Sequence, residues 1–334
     1  MLSLTINVSI YLSILILTLI ISRYFKFFDI PGERKIHKKK ILNVSGISTF
    51  IFLMYVVSTT EYSARIENII IAGLLIVIIG FIDDRINLSP ITKLISIFFP
   101  IFFLINNEFY ITDLGYYEQI GKIYLGKFGI IFTILSVALL TNSYNYIDGL
   151  DGLLCGITIS SLTYLIYLIL YIGDADLNIV KLLQTIIIPL SINIIFNFLP
   201  STNKFKTFMG NGGSLFIGFF ISFLLIYMYK IKGIDPAYLI WACWYPVYDF
   251  LYVTFYRIKK NKKFFKADKM HFHHKVLKLN RNSHLKSFFI INLLNIIIII
   301  LGFIISIYFG QLYSLITYTI LFIFLSLIRF KFIK

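Results

Sequence analysis

The stretch FGIIFTILSVALLTNSYNYIDGLDGLLCGITISSLTYLIYLILYI, residues 128–172, sets a polar cluster between two apolar runs. Each run is close to the roughly 20 residues that a helix needs to cross a bilayer. The cluster itself, Asn142-Ser-Tyr-Asn145-Tyr-Ile-Asp148-Gly-Leu-Asp151-Gly152, brings two amides and two carboxylates to the junction between them. Polar side chains in or against a bilayer are costly, so such a junction marks a functional surface.

Outward from this point the chain continues in the same manner. Of its 334 residues, 58% are hydrophobic and 14% are charged, and its mean hydropathy is +0.85. That composition excludes a soluble globular fold and fits an all-α, polytopic integral membrane protein, read as a single transmembrane domain over residues 1–334. About eleven candidate spans follow, near 5 to 25, 42 to 58, 67 to 82, 91 to 106, 128 to 144, 152 to 172, 180 to 199, 214 to 230, 237 to 256, 287 to 308 and 312 to 328. Cys155 and Cys243 fall in different apolar segments without metal-like spacing, so they read as packing residues.

Arg23, Lys26, Arg34, Lys35, Lys38, Lys39 and Lys40 follow the first span and no basic residue precedes it, which places its N-terminus outside. A cleavable signal peptide would carry the charges in front. Alternation then puts the mixed loop 107 to 127 outside and the strongly basic loop 257 to 286 inside. The net charge of +15 is explained by orienting loops that meet anionic lipid headgroups, and no nucleic-acid-binding motif accompanies it. With this topology five polar clusters open to the cytoplasmic side: Arg34 to His37, Asp83-Asp84-Arg85, Asn142 to Asp151, Met209 to Gly213, and His271 to His274.

In the 142–151 cluster, Asn142, Asn145 and Asp148 are three residues apart, and a helix brings them near one face. Gly149 and Gly152 permit close approach of backbone and ligand. Oxygen-bearing side chains so arranged suit a hard cation such as magnesium together with a nucleotide diphosphate, although a loop with two Asx turns is the plainer alternative. Adjacent Asp83 and Asp84 need cations nearby, either a divalent metal, Arg85, or Lys93 about two turns on. They could equally end a span and cap the next helix before Pro90. The run Phe208-Met-Gly-Asn211-Gly-Gly-Ser214 enters an apolar helix, where backbone amides favour phosphate. His271, His273 and His274 follow a basic, aromatic stretch and suit phosphate better than zinc, since no cysteine accompanies them.

Taken together these motifs resemble the polyprenyl-phosphate N-acetylhexosamine-1-phosphate transferases, among them the bacterial phospho-N-acetylmuramoyl-pentapeptide translocase. The resemblance runs from Arg34 to His274 and includes Asp-Asp-Arg, Asn-x-x-Asn-x-x-Asp-Gly-x-Asp-Gly, Phe-Met-Gly-x-x-Gly-Ser and His-x-His-His. It implies transfer of a sugar 1-phosphate from a UDP-N-acetylhexosamine, GlcNAc or a deoxy relative, to undecaprenyl phosphate in the bacterial cytoplasmic membrane, releasing UMP. Such a step would begin an O-antigen, teichoic acid or capsule chain. By similarity, Asp83 and Asp84 position or deprotonate the lipid phosphate and Lys93 holds phosphate oxygens. Asn145 and Asn211 coordinate magnesium, with manganese as the alternative ion; Asp151 contacts uracil and Asp148 supports the site. Asn142, His271, His273 and His274, with Arg257, bind the donor, and Arg34 and His37 match the family's first cytoplasmic loop. Membrane lipids are the surrounding partners, and the resemblance leaves a homodimer open.

The chain departs from the family in carrying Asn211 where an aspartate is usual, and in a longer stretch between Asn197 and Phe208. Asn211 loses the full charge that a hard dication values most. Two alternatives therefore stand beside the enzyme. One is a catalytically silent member that binds lipid phosphate or UDP-sugar. The other is a transporter, which would place broken polar helices near the bilayer midplane instead.

Overall fold

A computed structural model describes residues 2–29, 40–60, 64–172, 176–261 and 270–332. Arg34 and His37 lie outside the described residues, as does the basic stretch 262–269. The architecture is helical: α1 (Leu2–Tyr24), α2 (Ser45–Thr59), α3 (Ala64–Ile86), α4 (Pro90–Asn106), α5 (Phe128–Ile147), α6 (Leu153–Tyr171), α7 (Leu177–Phe198) and α8 (Gly210–Lys232). The short α9 (Pro236–Leu239) leads through a 3-10 turn, Ile240–Cys243, into α10 (Trp244–Lys259), α11 (Phe272–Leu279) and α12 (His284–Phe332). A small three-stranded sheet joins β1 (Phe28–Asp29), β2 (Ile41–Asn43) and β5 (Thr207–Phe208), while β3 (Asp113–Tyr117) and β4 (Gly121–Tyr124) form a hairpin.

Seven helical stretches among the described residues are long and apolar enough to cross a membrane. Large apolar side chains such as Leu17, Ile71, Leu293 and Ile320 are exposed on them, as lipid contact requires. The chain is a multi-pass membrane protein. Three of the individual spans differ from the sequence reading. The segments near 42 to 58 and 91 to 106 are short helices of 15 and 17 residues. The span near 237 to 256 is interrupted by the 3-10 turn before Trp244. The last two spans form α12, which breaks at Gly310 with φ of 82°. Ser306 Oγ and Ser314 Oγ are 3.1 Å apart, whereas residues eight apart on a straight helix rise about 12 Å. The chain therefore folds back at Gly310, and the two limbs, 284–309 and 311–332, run side by side.

α8 is the central element, packed between α2, α3 and α5. Its close fit comes from glycine. A Cβ on Gly46 of α2 would lie 2.2 Å from the Gly213 Cα, and one on Gly80 of α3 would lie 2.4 Å from Gly212. Small residues let membrane helices approach backbone to backbone. Gly212 and Gly213, expected to admit phosphate, instead admit neighbouring helices.

Charged groups gather at both ends of the bundle. At one end Lys122 pairs with Asp113 at 3.1 Å and Lys232 with Asp176 at 2.8 Å. The opposite end holds the C-termini of α3 and α5, the N-termini of α4 and α8, and α11. All the motif clusters that the structure describes are found there.

Candidate active site

The geometry is built around Lys93. Ser89 caps α4 by accepting from the Thr92 amide at 3.1 Å, and Pro90 supplies the first turn. One turn further, Lys93 Nζ donates to Asp83 Oδ2 and to Asn145 Oδ1, each at 2.8 Å. Asp83 is buried at the end of α3, and its Oδ1 accepts from the Leu88 amide at 2.9 Å. Asn145 carries the network across to α8, donating from Nδ2 to Asn211 Oδ1 at 2.9 Å and to Ser214 Oγ at 2.7 Å.

Asp84 occupies the N-terminus of α8, where both carboxylate oxygens accept from the Asn211 amide, at 3.1 and 3.0 Å. A carboxylate there is favoured by the unpaired amides and the helix dipole. Gly210, at φ of +70°, shapes the turn, and a Cβ on it would lie 2.7 Å from Asp84 Oδ2. The anion expected at this helix end is thus supplied by the protein.

Asn142 is turned elsewhere: its Nδ2 donates to the Ala138 carbonyl of its own helix at 2.8 Å. Asp148 is the C-cap of α5, and its backbone amide reaches the Asn145 carbonyl at 3.4 Å. Three-residue spacing therefore does not gather the whole trio, because the helix ends between its second and third members. Asp151, expected to contact uracil, is held by Lys206 and His284. Lys206 Nζ lies 3.0 Å from Oδ2 and His284 Nδ1 lies 3.5 Å from Oδ1. Burial pushes the Asp151 carboxyl up, but the hydrogen bond and charge of His284 and the charge of Lys206 outweigh it, and the net direction is down. Asn197 completes this clasp, accepting from the Gly152 amide and donating to the Thr207 carbonyl.

The histidines form a third group. His271 Nδ1 is 2.8 Å from Asp249 Oδ2, and its ring stacks on Tyr146 with centroids 5.4 Å apart. His273 is buried, and neither ring nitrogen has a hydrogen-bond partner among the described residues. Its Nε2 would lie 2.7 Å from a Cβ on Gly149, so that glycine admits the imidazole. Burial, with the His274 charge beside it, lowers the His273 pKa to about 3. The ring of His274 is 4.2 Å from that of His273. Arg257, buried on α10, acts electrostatically on Tyr146, as Asp83 does, which links the histidine group to the Lys93 network.

Among the described residues no cluster of three or more His, Cys, Asp or Glu forms a metal cage. Magnesium needs less than that, since one or two carboxylates and the phosphates of a substrate complete its octahedron. Asp84 and Asn211 offer such oxygens side by side. Asn145, the second expected ligand, turns its Nδ2 toward Asn211 and its oxygen toward Lys93. The donor set fits magnesium through Asp84 and Asn211, whereas Asn145 gives its oxygen to Lys93 and only an amide N–H to Asn211.

Residues 67–229 match glycosyl transferase family 4. Those residues are just under half of the chain, and the match supports the resemblance to the polyprenyl-phosphate hexosamine-1-phosphate transferases. It is 29% identical over 256 residues to the undecaprenyl-phosphate alpha-N-acetylglucosaminyl 1-phosphate transferase of Escherichia coli strain K12, covering 75% of this chain and 69% of that one. The like-named protein of Yersinia pestis is 28% identical over 281 residues, 82% of this chain and 75% of the relative. A probable undecaprenyl-phosphate N-acetylglucosaminyl 1-phosphate transferase of Bacillus subtilis strain 168 is 28% identical over 297 residues, with 86% and 80% covered.

Sequence reasoning missed Asp249, Lys206, His284 and Arg329. Asp249 had a signal, since it is a lone carboxylate in the apolar, aromatic run Trp244 to Tyr256. The other three gave none, because each takes its partner from a distant element.

Proposed function

We propose that the chain transfers N-acetylglucosamine 1-phosphate from UDP-N-acetylglucosamine to undecaprenyl phosphate, releasing UMP, at the cytoplasmic face of a bacterial cytoplasmic membrane. The observation that carries this reading is the Asp83–Lys93–Asn145–Asn211 network, at the same end of the bundle as His271 and His273. The names of the relatives supply the acceptor and the sugar phosphate. In the reaction an oxygen of the lipid phosphate attacks the sugar-bearing phosphorus of the donor, and the bond from that phosphorus to UMP breaks.

Phosphoryl transfer is chiefly positioning and charge neutralisation. Lys93 pairs with Asp83 beside the acceptor phosphate and offers its remaining proton to a phosphate oxygen. Asp84, fixed on the α8 amide, faces the same junction. The two carboxylates orient the incoming lipid phosphate and take its proton where it is protonated. Asp84 and Asn211 would hold magnesium, which would neutralise charge on the diphosphate. His271, His273, His274 and Arg257 meet the diphosphate and sugar from the opposite side. Asp151 reaches uracil from its clasp, and Asp148 supports the turn between them. Arg34 adds positive charge from the first cytoplasmic loop, which also carries His37.

The neutral Asn211 favours a second reading, a silent binder of the same ligands. One assay separates the two. Detergent-solubilised chain, undecaprenyl phosphate, magnesium and UDP-N-acetylglucosamine labelled in the sugar should yield organic-soluble label, and Asp83→Asn should abolish it. Tight UDP-sugar binding without any lipid-linked label would support the silent binder.

A further inference from the structure

Asp249 is wholly buried on α10, and its two oxygens have different partners. Oδ1 accepts from the Phe272 amide at 2.8 Å and lies 2.9 Å from Nη1 of Arg329. Oδ2 lies 2.8 Å from Nδ1 of His271. Arg329, on the second limb of α12, also donates from Nη2 to the Met270 carbonyl at 2.8 Å, and its guanidinium sits 4.0 Å from the Tyr252 ring centroid. Side chains from two separate helices thus grip residues 270–272, while Tyr146 stacks on the imidazole from a third.

A buried charge pair is a poor way to gain stability, since apolar packing of similar volume does as well or better. Fixing a ring is what such a pair does well. A carboxylate on one imidazole nitrogen sets the tautomer and orientation and favours positive charge on the ring. With Nδ1–H committed to Asp249, Nε2 is the one ring atom left to face the donor, and it donates to an anionic oxygen once a second proton makes the ring an imidazolium.

We propose that Asp249 and Arg329 are positioning residues, holding His271 with its Nδ1–H on the carboxylate so that Nε2 serves the donor diphosphate. The ligand half of this statement rests on the transferase reading, whereas the orientation half does not.

Asp249→Asn tests both halves. Arg329 and the Phe272 amide both require an acceptor at Oδ1, so the new amide nitrogen must face His271. A nitrogen donor there forces Nδ1 to accept and moves the ring proton to Nε2. Histidine 15N spectra of the purified protein, with the His271 signal assigned by its loss in His271→Gln, should show a protonated Nδ1 in the native chain and the Nε2–H tautomer in Asp249→Asn. An unchanged tautomer overturns the orientation.

In the transfer assay Asp249→Asn should lower kcat by about 10²-fold with the donor KM within about threefold, the pattern of a misoriented imidazole. Asp249→Asn combined with His271→Ala should be no slower than His271→Ala alone. Losses that multiply would show that Asp249 acts elsewhere and overturn the proposal. Arg329→Lys should retain more activity than Arg329→Met, and thermal unfolding of each variant reports whether it is folded. If the native chain transfers nothing, the transferase reading fails, and the nitrogen spectra still decide the orientation.

Discussion

Lys93 Nζ lies 2.8 Å from Asp83 Oδ2, across the short loop between α3 and α4, in a setting where both side chains are largely shielded from solvent. Because the same ammonium also holds Asn145, one cation couples three helices to one another.

Removing that cation should separate stability from turnover. Lys93→Met leaves the Asp83 carboxylate with the Leu88 amide as its remaining partner among these contacts. We expect a loss of about 3 kcal/mol, the range for breaking a buried pair from one side. Asp83→Asn combined with Lys93→Met removes both charges and should recover most of that stability. It should recover none of the turnover, which we expect to fall by about 10²-fold or more in every variant lacking either group. Thermal unfolding in detergent and the transfer assay read the two quantities separately.

Asn211 accepts from the Asn145 amide at 2.9 Å while its own backbone carries Asp84. Asn211→Asp keeps that acceptor and adds a charge at the proposed magnesium site. The half-saturating magnesium concentration should fall about tenfold, equivalent to about 1.4 kcal/mol, with turnover rising. Identical magnesium curves for the two proteins would mean that position 211 is not a ligand.

His273 gives a pH dependence whose sign is fixed. Its native pKa of about 3 lies below the ordinary 6.5, owing first to burial and then to His274, with His271 and Arg329 acting in the same direction and Asp249 against them. The unfolded chain therefore binds a proton that the native chain refuses. Stability is full above about pH 6.5 and is lost as pH falls from there toward 3. Between pH 6.5 and 5 this amounts to about 2 kcal/mol. Unfolding of the ligand-free protein should show that slope, and His273→Leu should remove it.

Both native cysteines are buried, so introduced ones can be labelled against a silent background. Single cysteines at Ser89, Ser201 and Asn282 should react with an impermeant reagent only from the cytoplasmic side, and one at Glu118, on the loop at the other end, only from outside. Labelling of Ser89 and Glu118 from one side would refute the orientation.

Much of the site was legible because its motifs are local. Asp83, Asp84 and Lys93 sit within about three turns of chain, and Lys93, one of the three cations that the charge argument offered the carboxylates, makes the observed contact. The apolar runs declared a membrane bundle for the same reason. What composition cannot report is how helices meet. Gly212 and Gly213 looked like a phosphate loop, yet they lie against Gly80 and Gly46. Asp151 looked like a uracil contact, yet Lys206 and His284 arrive from 55 and 133 residues away. The turn at Gly310 and the grip of Arg329 on Asp249 likewise depend on distant parts of the chain meeting.

The most direct test follows the phosphorus. With UDP-N-acetylglucosamine labelled at the β-phosphate, the solubilised chain should move the label into the undecaprenyl lipid and release one UMP for each labelled lipid formed. Release of UDP, with the label remaining in water, would mean that the sugar alone is transferred, and the absence of both nucleotide products would mean no transfer at all. Either result would contradict the assignment of this membrane protein as a sugar-1-phosphate transferase.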